Sequence, residues 1–122
     1  DYSRAASRVA LERVLSNLKA RPTAIFCSTD NKALAAIAAA RELGLSIPDD
    51  LSIVGFDGFL KDSQISPTIA SNEQPLVEMG RRATEVLLER IAKPDLPKRE
   101  IVFPVAFLPG GSLASPKDGS LR

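Results

Sequence analysis

Two short acidic turns hold the residues best suited to chemistry in this chain. Ser28-Thr29-Asp30 follows an apolar run over 24–27, and Phe56-Asp57-Gly58 closes another over 51–56. An ionised carboxylate has only acceptor oxygens, so it takes hydrogen bonds from adjacent hydroxyls or from an amine. That chemistry suits binding a polyol-like or cationic ligand better than performing a reaction. The 122 residues include no His and a single Cys, Cys27. Ser-His-Asp and Cys-His nucleophilic arrangements, His-based metal sites, cysteine zinc sites and an intrachain disulfide are therefore excluded. No cofactor or metal is expected, and the chain is not expected to be an enzyme.

Each of these residues also has a plainer reading. Asp30 suits the N-cap of a following helix. Asp57 beside Gly58 suits a turn, and Thr29 can bond its own backbone locally. Cys27, inside an apolar run, reads as core. Tyr2 can be a surface aromatic at a frayed end. Arg81-Arg82 reads as a solvated helix face. Gly110-Gly111 lacks the Lys and helix of a phosphate loop and reads as a flexible turn.

The elements that must position these turns alternate between helix and strand. Residues 3–19 carry Leu11, Val14, Leu15 and Leu18 at helical spacing, and Pro22 ends that helix. The run 24–27 predicts a buried strand. A helix over 31–43 follows, with Ala33, Ala36, Ile37 and Ala40 on one stripe and Gly44 as its stop. A second buried strand spans 51–56, and 69–72 reads as extended. Pro75 suits the first position of a helix running to 92, with the stripe Leu76, Met79, Ala83, Leu87 and Ile91. The last strand, 101–108, contains Pro104 and belongs at an edge. From Pro109 the Gly, Ser, Pro and Lys content predicts a loose tail. Such alternation gives an α/β class with a mainly parallel sheet flanked by helices. In open sheets of this kind, ligands collect beyond the carboxyl ends of the strands. If the strands over 24–27 and 51–56 are neighbours, their ends lie about 4.8 Å apart. Thr29, Asp30 and Asp57 would then line one crevice.

Composition narrows the classes. Apolar residues make up 44% and charged residues 25%, with a net charge of +1. The basic residues are scattered among acidic ones, which is poor footing for binding phosphates directly. No long apolar run or basic-then-apolar leader occurs, so no membrane association is expected and a cytoplasmic location fits best. The absence of an initiator Met suggests a chain cut from a longer one.

Three segments, in this order, resemble the sensor domain of lactose-repressor (LacI/GalR) family transcriptional regulators. They are Pro22-Thr23-Ala24-Ile25-Phe26-Cys27-Ser28-Thr29-Asp30 with Ala33-Leu34, Glu42-Leu43-Gly44-Leu45-Ser46-Ile47-Pro48-Asp49-Asp50-Leu51-Ser52-Ile53-Val54-Gly55-Phe56-Asp57, and Gln74-Pro75-Leu76-Val77-Glu78-Met79-Gly80-Arg81-Arg82-Ala83. The resemblance implies a partial type I periplasmic-binding-protein-like fold, two α/β subdomains with an effector between them. Residues 1–66 and 100–116 would belong to the C-terminal subdomain, 69–92 would cross into the N-terminal one, and 117–122 would be a tail. It further implies that Asp57, Thr29, Tyr2, Gln74 and Leu76 face a small-molecule effector, such as a sugar. Leu34 and Ile65 would lie in a homodimer interface. Operator DNA would be bound only through a helix-turn-helix headpiece that this stretch lacks. The sequence departs from the family pattern at Thr29 (usually Asn), Ala35 (usually Gly) and Gly58 (often a second acid). It departs again at Gly110-Gly111-Ser112, where an Arg usually precedes Ser-Thr. These changes bear on effector polarity.

Three other functions stay open on the residues alone: a periplasmic sugar-binding protein, a phosphoacceptor receiver domain with Asp57 as acceptor, and an enzyme of another kind. A receiver needs a paired acid after its first strand and a later Lys, and neither is apparent. The helix over 75–92 carries an apolar stripe that wants a sheet to cover it. In isolation the chain is expected to expose that stripe, to self-associate, or to refold the helix onto the remaining sheet.

Overall fold

The structure is a computed structural model, and it describes residues 4–16 and 22–116. Helix α1 spans Arg4–Leu15, strand β1 Ala24–Phe26, helix α2 Asp30–Glu42 and strand β2 Ser52–Val54. Strand β3 (Ser71–Glu73), helix α3 (Leu76–Ala92) and strand β4 (Ala106–Leu108) complete the order. β1 and β2 pair in parallel, Ala24 opposite Ser52 and Phe26 opposite Val54. β3 and β4 pair antiparallel, Ser71 opposite Leu108. Parallel bridges from Val54 to Ala70 and from Asp57 to Glu73 join the two pairs.

The core forms where α1, α2 and the parallel pair meet. Ala33, Ala36, Ile37 and Ala40 are all buried, and Ala39 joins them. Small side chains bring α2 close to the strands, where Ile53 and Leu51 fill the space below. Leu11 and, in part, Leu15 close the cluster from α1. Burying each of the large members contributes roughly 1.5–3 kcal/mol.

Several sequence expectations need correction. The cap of α2 is Thr29, not Asp30: the Thr29 Oγ1 accepts from the Lys32 backbone N–H at 3.2 Å, and Asp30 is already helical. Both residue types cap well, and tertiary partners decide which one does. Pro75 is the N-cap of α3 and stands one residue before its first turn. The strand expected over 101–108 is confined to β4, beyond Pro104, whose nitrogen has no hydrogen to give a ladder.

The segment after Pro109 is not a loose tail throughout. Ser112 is fully buried; its hydroxyl donates to the Ile53 carbonyl at 2.6 Å and accepts from the Ala70 N–H at 2.9 Å. The Ser112 carbonyl also accepts from the Ile53 N–H at 2.8 Å. Gly110 makes this approach possible, because a Cβ there would lie 2.4 Å from the Ala70 nitrogen. Residues 117–122 lie outside the described residues.

Helix α3 has no buried residue. Leu87 is 59% and Ile91 68% exposed, and Leu76, Val77 and Leu88 are exposed beside them. Its stability as a helix therefore leans on local pairs, in which Arg81 bonds Glu78 and Glu85. The stripe read from the sequence is exposed except at the half-buried Met79.

Candidate functional site

The carboxyl end of β2 runs into a turn that changes the direction of the chain at Asp57. Asp57 has φ of +97°, the only such non-glycine among the described residues. Asn and Asp enter this region more readily than other side chains. Gly58 follows with φ of +70°, and a Cβ on it would lie 2.7 Å from the Glu73 Cα. The turn is thus pressed against β3. The Asp57 N–H donates to the Asn72 carbonyl at 2.9 Å, and the Gln74 N–H donates to the Asp57 carbonyl at 3.3 Å.

This packing opens a groove of about 430 Å³ between the turn and the start of α3. Asp57, Gln74 and Leu76, three residues singled out from the sequence, line it together. Lys61, Glu73 and Glu78 also line it. Lys61 pairs with Glu73, a bond that holds the Lys61 ammonium above the usual lysine range. Glu78 pairs with Arg81, which holds its carboxyl below the usual range. Among the described residues, Asp57 alone of the groove carboxylates has no ion-pair partner. One of its oxygens accepts from the Phe59 N–H at 3.3 Å. The carboxylate retains acceptor capacity for a ligand, and the Gln74 amide beside it can both donate and accept. Leu76, half exposed, supplies an apolar wall. The arrangement suits a small polyhydroxylated molecule with one apolar face.

The other expected residues fall elsewhere. Asp30 does not line a crevice: it is 1% exposed, and both its oxygens are occupied. Oδ1 accepts from the Ser71 hydroxyl at 2.5 Å and Oδ2 from the Leu60 N–H at 3.1 Å. Thr29 is half-buried at the α2 cap and is not a lining residue of the Asp57 groove. Its neighbour Asp30 does bond the Phe56 carbonyl through its N–H at 2.9 Å, so the two strand ends adjoin. Tyr2 lies outside the described residues. Leu34 on α2 and Ile65 are each half-buried. Arg41 of α2 ties the loop after Ile65 to the helix by donating to the Ser66 carbonyl at 2.6 Å.

Sequence reading missed Lys61 and Glu73, because their pairing spans 12 residues and depends on the turn between them. It also missed Phe26 and Phe56 as a pair. Their rings meet edge-on at 6.2 Å where the parallel strands end. Both lie at or beside the ends of apolar runs, and that was the available signal.

Cys27 is buried, and burial pushes its thiol up, against a smaller opposing pull from Lys32. It lies on the floor of a second, mostly apolar groove of about 440 Å³ beside α1. Among the described residues no group of three or more His, Cys, Asp or Glu is placed to hold a metal ion. No described helix is long and apolar enough to cross a membrane.

The profile of the periplasmic binding protein-like domain family matches residues 1–113. The HTH-type transcriptional repressor PurR of Aliivibrio fischeri is 38% identical over 100 residues, which is 81% of this chain and 30% of the repressor. The ribose operon repressor of Haemophilus influenzae is 42% identical over 83 residues, 68% of this chain and 25% of that protein. The crystal structure of a LacI family transcriptional regulator from Enterococcus faecalis with bound ribose superposes with a TM-score of 0.81. It is 30% identical, over 96% of this chain and 43% of that one. The chain therefore spans less than half the length of the proteins it matches.

Proposed function

Since the chain belongs to the periplasmic binding protein-like domain family, in its lactose-repressor branch, we propose that it is the effector-sensing and dimerisation part of a transcriptional regulator. The effector is a sugar or a related metabolite. Asp57 takes two of its hydroxyls, Gln74 a third polar group, and Leu76 covers its apolar face. Thr29 and Tyr2 complete the contact. Leu34 and Ile65 meet a second copy in a homodimer. Operator DNA is bound by another part of the full-length protein, which works in the cytoplasm and performs no catalysis. Within this scheme residues 1–66 and 100–116 form one lobe, and residues 69–92 reach into the other.

One observation carries the reading: a groove at the carboxyl end of a parallel strand, in which Asp57 is the carboxylate without an ion-pair partner among the described residues. Ligands of open α/β sheets gather at that end. The ribose bound in the Enterococcus relative makes D-ribose the natural first probe. Calorimetric titration of D-ribose into the full-length protein tests the reading. Saturable binding is expected; no heat at millimolar ribose, together with unaltered operator binding, would remove ribose and leave the sugar class to be tested with hexoses.

A further inference from the structure

We propose that Asp30 and Ser71 are positioning residues, which fix the Asp57 turn in its ligand-ready shape without touching ligand. The sensing role assigned above supplies the ligand in this inference, and the geometry supplies the rest. Asp30 holds the turn at both ends. Its N–H donates to the Phe56 carbonyl, one residue before Asp57, at 2.9 Å. Its Oδ2 accepts from the Leu60 N–H, three residues after, at 3.1 Å. Its Oδ1 accepts from the Ser71 hydroxyl, whose oxygen accepts in turn from the Gly58 N–H at 3.3 Å. Gly58 and Leu60 are therefore held by a buried hydroxyl and a buried carboxylate and Phe56 by the Asp30 backbone N–H, and Asp57 sits among them at φ of +97°.

The chemistry explains why a carboxylate stands there. Burying a carboxylate is unfavourable unless it is hydrogen-bonded, and this one accepts from one hydroxyl and one backbone N–H. It must accept on two sides at once. An amide presents one oxygen and one NH₂, and the Leu60 N–H cannot accept. Asn at this place would turn its NH₂ toward Ser71 and force the hydroxyl to give up its role as donor. Gly55 shows how closely the parts fit, since a Cβ on it would lie 2.4 Å from the Asp30 Oδ1. Because Ser71 begins β3, which leads directly into Gln74 and α3, the same network ties Asp57 to the other wall of its groove. A binding group held loosely by even about 1 Å loses much of its effect.

The test uses the full-length protein and three variants: Ser71→Ala, Asp30→Asn, and Ile37→Val as a core control distant from the turn. Two quantities are read, amide exchange at Gly58 and Leu60 by NMR and the dissociation constant for D-ribose by calorimetry. Ser71→Ala is expected to speed Gly58 exchange and weaken ribose binding, each by roughly tenfold or more. Asp30→Asn, the milder change, moves both in the same direction. Ile37→Val lowers the melting temperature and moves neither. Unchanged exchange at Gly58 and Leu60 in both site variants overturns the proposal. So does faster exchange with unchanged ribose affinity, or an equal affinity loss in the control. If the wild type binds no ribose, ribose is removed as the effector, and the exchange comparison alone decides whether Asp30 and Ser71 set the turn.

Discussion

Gly58 passes so close to Glu73 that a Cβ on the glycine would lie 2.7 Å from the Glu73 Cα. Gly44 has nearly the same backbone, φ of +76° against +70°, but nothing lies within 4 Å of where its Cβ would be. Alanine at Gly44 therefore reports the left-handed backbone alone, at a cost of about 1–2 kcal/mol. Alanine at Gly58 adds a collision with backbone and is expected to cost at least ~2 kcal/mol more. Urea denaturation of the two variants measures the difference; equal losses would mean that the turn does not press on β3.

Ser112 staples the returning chain to β2 and to Ala70. Ser112→Ala leaves the buried Ala70 N–H without its acceptor, which costs about 1–3 kcal/mol. Thermal denaturation checks this, and a loss below about 0.5 kcal/mol, the size of an ordinary surface change, would show that the staple is not formed in solution.

Burial raises the Cys27 thiol pKa, so the folded protein holds that proton more tightly than the unfolded chain, whose thiol titrates near about 8.5. The contribution to stability is complete below that unfolded value and is lost as pH rises through the folded one. Unfolding measurements at pH 7 and at pH 10 should show a larger loss for the wild type than for Cys27→Ala. Identical pH dependence in the two would place the thiol in contact with water.

The apolar stripe of α3 should drive association when the 122-residue chain is studied alone. Sedimentation at increasing concentration is expected to show oligomers, and Leu87→Glu with Ile91→Glu to shift them toward monomer. Both residues are largely exposed, so the double change should leave the core melting transition nearly in place. A wild-type chain that stays monomeric would contradict the reading.

The parts of this architecture that depend on local pattern were legible in the sequence. Ala33, Ala36, Ile37 and Ala40 recur at helical spacing, and all four are buried. The runs around Ile25 and Ile53 were recognisable as strands, and they pair in parallel. What the sequence hid was set by partners far along the chain. Asp30 reads as a cap because capping is a local preference, whereas its burial depends on Ser71, 41 residues away. Ser112 sits in a Gly-rich stretch that looks loose, and its fixed place comes from Ile53, 59 residues away. Of the residues singled out for ligand contact, Asp57, Gln74 and Leu76 share a groove, whereas Thr29 lies at the cap of α2.

The central claim is that the Asp57 carboxylate binds the effector, and Asp57→Asn in the full-length protein tests it most directly. Asparagine tolerates the left-handed backbone and can still accept from the Phe59 N–H, so the fold should be unaffected. It loses the charge that strengthens hydrogen bonds to ligand hydroxyls, about 1.5–3 kcal/mol. Calorimetry with D-ribose should therefore show the dissociation constant raised by roughly 10- to 100-fold, with an unchanged melting temperature. Equal ribose affinity in wild type and Asp57→Asn would contradict the account.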